Sequence, residues 1–408
     1  MRIRFASLRS VPPSLLGLTA AAAATVAYPF LPTSPSTPTP GGNPHWSGLD
    51  ACRYSGPIGE PGTLIAAVPL DESLTLSAAG EAHRILYATR DAHGAPAVST
   101  GAIFLPPGPP PRNGYPMIAW AHGTVGLGDD STPSAHPRTP RDAAYLDHWL
   151  RQGYAVVATD YVGLGTPGLM SYLNGEAAAR AVVDSMIAAR HTGLPLDAKW
   201  AAVGQSQGAA AALNTARRAT ALSAGSGLDY RGVVATGAPA NIEQVVRLSG
   251  PLFPPVVLSP SLTVYLAYIV AGFTEARPDL HVADLLTDRG REVISLSATM
   301  CFDPLSEVLR GERVSGWFLR PLSANPLISA ALVDYMRTPY SGYDRPVFLG
   351  QGLLDKDVPV FSAGSLYVQM VAAGQPVEFH LYPEKAHNGT VLASTADSTP
   401  FLERIMQD

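Results

Sequence analysis

Short, continuous apolar runs alternate with longer amphipathic stretches over much of the chain. Runs of strand length that alternate with helical periodicity are typical of a mostly parallel sheet covered by helices on both faces. The pattern predicts strands at residues 116–121, 154–160, 200–203, 230–237, 346–352 and 377–382. It predicts helices at residues 142–153 and 176–191, and a third helix in the alanine-rich segment that follows residue 208. We therefore expect an α/β fold.

The alternation starts only after residue 115, and the segment before it has a different pattern. Residues 84–90 and 98–105 have the composition of strands, and they flank the turn-forming sequence Asp-Ala-His-Gly. Two such runs around a short turn predict a hairpin. We expect this hairpin to form an antiparallel edge of the sheet.

A second departure from the alternation lies between the strands at 230–237 and 346–352. This stretch is rich in proline and contains helix-like segments at residues 261–273, 282–286 and 333–337. An insertion after a late strand would lie over the carboxyl ends of the sheet, where a cap or lid belongs. We therefore predict a core formed by residues 49–240 and 341–408, with a cap formed by residues 241–340.

The N-terminal residues predict export. Three arginines precede an apolar, alanine-rich stretch, as the charged and hydrophobic regions of a signal peptide do. The stretch is short, and an uncharged Pro/Ser/Thr-rich segment follows it, which disfavours a membrane anchor. We interpret residues 1–27 as a signal peptide and residues 28–48 as an extended proline-rich linker. The protein is expected to be secreted.

Composition narrows the function classes. Hydrophobic residues make up 46% of the chain and charged residues 15%, with a net charge of -5. This balance provides no basic surface for nucleic acid, so we predict no nucleic-acid partner. Cys52 and Cys301 are too few for a disulfide framework, and neither has a neighbour at metal-ligand spacing. In an exported chain they are candidates for one disulfide, and the alternative is two unpaired buried thiols.

The sequence Gly204-Gln-Ser206-Gln-Gly208 joins a predicted strand to a predicted helix. It matches the G-x-S-x-G nucleophile elbow, which exposes a serine hydroxyl at the end of a strand. The turn is cramped, and glycines on both sides of the serine avoid collisions with the neighbouring backbone. A chain rich in Gly, Ser and Ala produces accidental matches, so the motif also requires an acid and a histidine elsewhere.

Both partners occur in the order Ser, acid, His that is usual for such elbows. Asp355 directly follows the strand at 346–352, and we prefer it to Asp357 because it lies nearer the strand end. His387 lies in a glycine-containing loop after the last strand, whereas His380 lies within that strand. We predict a catalytic triad of Ser206, Asp355 and His387.

These side chains suit nucleophilic catalysis on a carbonyl group. His387 would accept the proton of Ser206 during attack, and Asp355 would orient the imidazole. The oxyanion requires N–H donors, and the backbone of Gln207, the residue after the nucleophile, would supply one. The second would come from Gly123 and Thr124 in an early His-Gly-Thr loop. We interpret His122 in this loop as a supporting residue.

Other patterns in the chain have a less specific explanation. Gly163-Leu-Gly-Thr-Pro-Gly168 matches a dinucleotide-binding pattern, but its proline delays any helix and the context fails. Asp160 ends a strand but precedes the serine, so we expect it to support the site. Metal ligation is an alternative for one Ser/Thr/Pro-rich loop, although a solvated loop is favoured for its candidate ligands, Asp129, Asp130 and His136. We predict no metal and no organic cofactor.

Several motifs together resemble the secreted lipase A-type family over roughly residues 55 to 400. They are the Ala-His-Gly-Thr loop at 121–124, the segments at 159–168, 204–208 and 237–239, and the two loops that contain the predicted acid and base. The resemblance implies an α/β-hydrolase core, a helical cap inserted before the acid-bearing strand, and hydrolysis of carboxylic esters of acyl lipids. Members often carry Cys-Ala-Pro-Ser where this chain has Asp129-Asp-Ser-Thr-Pro-Ser134, so the disulfide pattern of the family is not carried over.

The expected partner is therefore a small-molecule or lipid ester, with transient contact to a lipid interface. The same triad would also serve acyl transfer or peptide cleavage, and these reactions remain alternatives. A catalytically silent module that binds a lipid beneath the cap is a third interpretation.

Overall fold

The structure is a computed structural model that describes residues 49–251, 253 and 257–407. The predicted signal peptide (1–27) and linker (28–48) lie outside the described residues. Among the described residues, no helix combines the length and the hydrophobicity needed to cross a bilayer.

A single mixed sheet of nine strands organises the described part of the chain. The strands are β1 (Leu64–Pro69), β2 (Glu81–Arg90), β3 (Pro96–Leu105), β4 (Tyr115–Ala121), β5 (Ala155–Thr159), β6 (Leu196–Gln205), β7 (Asp229–Thr236), β8 (Val347–Gly352) and β9 (Val377–Tyr382). Their order in the sheet is β1-β2-β3-β5-β4-β6-β7-β8-β9. The first three strands are antiparallel, and β3 also pairs antiparallel with β5. The other six strands, which lie in the order β5-β4-β6-β7-β8-β9, are parallel to one another. The predicted α/β class and the predicted hairpin are therefore confirmed.

Helices occupy the crossovers and the segment between β7 and β8. They are α1 (Pro140–Arg151), α2 (Gly175–Arg190), α3 (Gln207–Leu222), α4 (Glu243–Val246), α5 (Pro260–Ala276), α6 (Asp288–Ser297), α7 (Phe302–Val308), α8 (Pro326–Met336), α9 (Val360–Ala372), α10 (His387–Ala393) and α11 (Thr395–Met406). Side-chain caps fix several starts. The Asn174 side chain, for example, accepts hydrogen bonds from the N–H groups of Glu176 and Ala177 at the start of α2.

Strand β4 shows why its residues are apolar without alternation. Met117 and Ala119 contribute to the core on one face of the sheet, whereas Ile118 and Trp120 contribute to the core on the other. A strand that is buried on both faces has no solvent side and therefore needs no polar positions.

Some elements that follow the central strands differ from those predicted from the sequence. Helix α8 begins at Pro326, well before the predicted segment at 333–337, and residues 282–285 form a 3₁₀ turn. The predicted glycine loop around His387 is the first turn of α10.

Parallel pairing places the carboxyl ends of β4, β6, β7, β8 and β9 at one edge of the sheet, where loops of such folds bind ligands.

One buried carboxylate makes the stability of the core depend on pH. Asp184 on α2 accepts a 2.6 Å hydrogen bond from the Thr89 hydroxyl on β2. Burial raises the pKa of Asp184 to about 6, against about 3.9 in an unfolded chain. The folded state therefore binds this proton more tightly. The resulting stabilisation is complete below about pH 4 and is lost as the pH rises through about 6.

Replacing Asp184 with asparagine should remove this pH dependence, because the amide stays uncharged and can still accept the hydrogen bond from Thr89. We expect Asp184→Asn to raise the free energy of unfolding at pH 8 by up to about 3 kcal/mol and to leave it unchanged at pH 4. Urea unfolding at the two pH values measures the difference. An equal effect at both pH values would contradict the prediction.

Candidate active site

The predicted elbow is a tight turn between β6 and α3. Ser206 has φ 58° and ψ -123°, a left-handed conformation that costs energy for a residue with a side chain. A Cβ on Gly204 would overlap the carbonyl of Gly208, and one on Gly208 would overlap the carbonyl of Ala121. Both glycines of the motif are therefore required by close backbone approach, as the sequence predicted.

The turn fixes the surroundings of the Ser206 hydroxyl. The Ser206 N–H donates a 2.9 Å hydrogen bond to the carbonyl of Thr236 at the end of β7. Gln207 is the first residue of α3, so its N–H lies at the open end of a helix, without an intrahelical acceptor. The positive end of the helix dipole adds to this N–H group, and both favour negative charge beside Ser206.

The structure brings the predicted acid and base together. His387 Nδ1 lies 2.7 Å from Asp355 Oδ2, and both side chains are buried. Asp355 Oδ1 accepts hydrogen bonds from the backbone N–H groups of Asp357 (3.0 Å) and Val358 (2.8 Å). The Gln351 amide donates to Asp355 Oδ2 at 3.2 Å. Every oxygen of this carboxylate is therefore held in place, which fixes the orientation of the imidazole.

Asp357 and His380, the alternatives to Asp355 and His387 as acid and base, do not form such a pair. Asp357 supplies a backbone N–H to Asp355 and is only partly buried. His380 stacks on the Phe348 ring at 4.4 Å and lies between two other carboxylates. The geometry therefore pairs His387 with Asp355.

Three polar groups at this site lie close enough to suggest a cation. Ligand atoms of Asp355, Asp357 and His387 lie within 4.8 Å of one another, the only such group of three among the described residues. Both oxygens of Asp355 are already hydrogen-bonded, and His387 Nδ1 faces one of them. A cation would have to displace these bonds, so the donor set does not fit a resident metal.

Two contacts of His387 were not predicted from the sequence. Its Nε2 lies 2.9 Å from Nε2 of the Gln205 side chain. A Cβ on Gly237, which has φ +60°, would lie 3.0 Å from His387 Cε1. Gly237 follows β7 and lies in one of the motifs that carry the family resemblance. Gln205 stands at a variable position of the elbow motif, and the one feature of the sequence that could have identified it is a polar residue after the apolar run at 200–203.

The His-Gly-Thr loop lies beside the elbow, because Ala121 on β4 pairs with Gly204 on β6. A Cβ on Gly123 would lie 2.6 Å from the Gln205 side-chain oxygen. The Thr124 hydroxyl is hydrogen-bonded to the Tyr172 hydroxyl at 2.6 Å. Gly123 therefore lies beside Gln205, the residue that precedes the candidate nucleophile.

His122 is buried, and its ring nitrogens lie 2.7 Å from the carbonyl oxygen of Gly123 and 3.3 Å from that of Asp160. Burial lowers the pKa of His122. Asp160 accepts hydrogen bonds from the Thr100 hydroxyl (2.8 Å) and from the N–H and hydroxyl of Ser134. These contacts tie the His-Gly-Thr loop to the sheet.

The predicted disulfide is not formed, since both cysteines are free thiols in the structure. Cys301 Sγ contacts the Ser131 hydroxyl, and burial raises the pKa of Cys301. Burial and the nearby Asp129 carboxylate raise the pKa of Cys52 to about 12. The segment that contains Asp129 and Ser131 therefore provides a partner for each thiol.

Two alternative interpretations of the sequence also find structural explanations. The Gly163–Gly168 segment is a turn in which Gly163 N–H donates to the Thr166 hydroxyl, and α2 begins only at Gly175. No helix therefore opens directly after the glycines, as a dinucleotide site requires. Asp129, one of the loop acids considered as metal ligands, accepts a 3.0 Å hydrogen bond from the Gly165 N–H.

Comparison with known proteins gives one family and a set of similar folds. The sequence model described as "Secretory lipase" matches residues 138–403, a range that includes Ser206, Asp355 and His387. No curated protein sequence matches the chain.

Two solved structures illustrate the similarity of fold. Candida antarctica lipase A in its closed state is similar with a TM-score of 0.67 and 17% identity, over 85% of this chain and 82% of that one. The rice cell wall degrading esterase LipA from Xanthomonas oryzae is similar with a TM-score of 0.67 and 21% identity, over 85% and 98%. These similarities, together with the sheet, show an α/β-hydrolase fold.

Proposed function

The chain belongs to the secretory lipase family, and we propose that it is a secreted serine hydrolase that cleaves carboxylic esters of acyl lipids. The observation that carries the proposal is the 2.7 Å contact between His387 Nδ1 and Asp355 Oδ2 beside a strained serine elbow. In this proposal Ser206 is the nucleophile, His387 the general base and Asp355 the residue that orients it.

Attack begins when the Ser206 Oγ approaches the carbonyl carbon of the ester. The proton of the hydroxyl passes to His387 Nε2 as the Oγ–C bond forms, and the carbonyl oxygen becomes an oxyanion. Asp355 stabilises the resulting imidazolium through its bond to Nδ1. Because four hydrogen bonds fix the Asp355 oxygens, this stabilisation requires no rearrangement.

The oxyanion would be held by the N–H of Gln207 and an N–H of the Gly123–Thr124 loop. Loss of one such donor typically slows the reaction by about 100-fold to 1000-fold. The imidazolium then protonates the alcohol oxygen, which leaves as the C–O bond breaks and an acyl-enzyme remains. Water, deprotonated by His387, releases the carboxylic acid and restores the Ser206 hydroxyl.

Hydrolysis of p-nitrophenyl esters by the purified protein tests this proposal, with the Ser206→Ala variant as the control. Release of p-nitrophenol at equal rates by the two proteins would overturn it.

We also propose that the rim of the site contacts the lipid interface. Leu353 and Leu354 directly precede Asp355 and are exposed, and Phe361 in the first turn of α9 is 67% exposed. All three follow the carboxyl end of β8, which is the edge that carries the site. Exposed apolar side chains around a site for acyl esters suit contact with an aggregated substrate.

Phe361→Ser should therefore weaken hydrolysis of esters above their solubility limit and leave hydrolysis of dissolved short-chain esters unchanged. Val371→Ser is the matched control, because Val371 is also exposed but lies at the other end of α9. Rates across an ester chain-length series, below and above the solubility limit, measure the effect. Equal losses in the two variants, or equal losses on both forms of substrate, would contradict a role for this rim.

Residues 241–340 are proposed to form the cap that selects the acyl and alcohol groups. Helices α4 to α8 lie in this segment, between β7 and the acid-bearing strand β8, which supports the proposal.

The family name and the N-terminal pattern support secretion. N-terminal sequencing of protein recovered from the culture medium should give Tyr28 as the first residue. Recovery of the intact N-terminus would argue against cleavage after Ala27.

A further inference from the structure

The lone pair of the proposed base is already occupied. His387 Nδ1 faces the Asp355 carboxylate, so Nδ1 carries a hydrogen and donates it. In a neutral imidazole the other nitrogen, Nε2, then has one lone pair and accepts one hydrogen bond. That lone pair faces the Gln205 side-chain nitrogen at 2.9 Å, and an amide nitrogen can only donate. Among the described residues, no hydrogen bond joins Ser206 Oγ to His387.

The Gln205 side chain is held where it is by its surroundings. Gln205 is the last residue of β6 and is 1% exposed. Its oxygen points toward Gly123, whose missing side chain leaves the space, since a Cβ there would lie 2.6 Å from this oxygen. The amide therefore presents its nitrogen to His387 and its oxygen to the loop after β4.

Ser206 and Gln205 compete for the same lone pair. The proposed reaction requires the Ser206 hydroxyl to donate to His387 Nε2, and Nε2 cannot accept fully from two donors. Asp355 already fixes the orientation of the imidazole through Nδ1, and Gly237 packs against the ring. Orientation therefore does not depend on Gln205, and the effect that remains for its amide is to occupy the base.

We propose that Gln205 is a positioning residue that acts through His387, as a latch whose amide N–H occupies the Nε2 lone pair and keeps that lone pair from Ser206 in the resting enzyme. The inference rests on the proposed function, because it assumes that His387 activates Ser206. Reaction then requires the amide to move aside, and the rate scales with the fraction of molecules in which it has done so.

The test is the rate at which a fluorophosphonate probe labels Ser206, measured per folded molecule. Gln205→Leu removes the donor and keeps similar volume. It should accelerate labelling by about twofold to tenfold, the effect of one neutral hydrogen bond on an equilibrium. Gln205→Met, which is unbranched, provides the same test if the leucine variant folds poorly. Labelling that is unchanged or slower in the apolar variants overturns the latch.

Gln205→Glu should change the rate in the opposite direction. A carboxylate at this position accepts a hydrogen bond from Nε2–H and so favours the imidazolium, which has no lone pair for the Ser206 proton. Labelling should be slower than in the unmodified enzyme. A merely structural role for Gln205 would lower the unfolding midpoint of both variants without this opposite pair of rate changes.

The outcome also separates the latch from the proposed function. If the unmodified enzyme is not labelled at Ser206, the proposed function fails. If it is labelled and the apolar variants are no faster, only the latch fails. Histidine-selective ¹⁵N NMR gives a readout without any reaction, since the His387 Nε2 resonance should change when the amide donor is removed.

Discussion

Replacing Ser206 with alanine should lower the kcat of ester hydrolysis by roughly 10⁵-fold to 10⁶-fold, the loss typical when the nucleophile of a triad is removed. The alanine side chain offers no oxygen to attack the carbonyl carbon, so no acyl-enzyme forms. His387 and the proposed oxyanion donors remain, and they account for the residual rate over water. Initial rates with a p-nitrophenyl ester, corrected for the uncatalysed reaction, measure the loss.

The substitution should leave the fold unchanged, which makes the kinetic result interpretable. Alanine has the same Cβ as serine, so it meets the same strain at φ 58°. No hydrogen bond of the Ser206 hydroxyl to any described residue would be lost. We therefore expect the same urea midpoint for both proteins. A variant that is equally stable but retains more than about 1% of the rate would contradict the assignment of Ser206.

The sequence predicted the features that depend on local order along the chain. Runs of apolar residues without alternation identify strands such as β4 and β8, because each is buried on both faces of the sheet. The candidate nucleophile, acid and base could be proposed from the sequence because each follows a strand, and parallel strands end at the same edge of the sheet. Ser206, Asp355 and His387 are therefore found together at that edge.

Contacts between distant segments could not be predicted in this way. Gln205 and His387 are 182 residues apart, and no periodicity relates them. Gly237 belongs to one of the motifs that carry the family resemblance, but only its left-handed φ and its closeness to His387 in the structure give it a role. The two cysteines illustrate the opposite error. The possible disulfide between them was inferred only from the predicted export of the chain and from the presence of two cysteines. In the structure, each thiol has a different polar neighbour.

Replacing Asp355 with asparagine should lower kcat by about 10⁴-fold, because the amide would force the wrong tautomer on His387. The N–H groups of Asp357 and Val358 both donate to Oδ1, so this position must remain an oxygen. The amide nitrogen would then occupy the place of Oδ2 and point its hydrogens at His387 Nδ1. Nδ1 would have to accept, and Nε2 would carry the hydrogen and could no longer take the proton from Ser206.

Asp357→Asn is the matched control, because Asp357 was the rival acid and contacts Asp355 through its backbone N–H, which the substitution keeps. We expect this variant to retain activity within a few-fold of the unmodified enzyme, since its side chain does not hold the imidazole. Comparison of kcat and of urea midpoints for the two variants decides between the acids. A large loss in Asp357→Asn with little loss in Asp355→Asn would reverse the assignment. It would also mean that His387 turns toward Asp357 during the reaction, since the 2.7 Å contact in this structure is with Asp355.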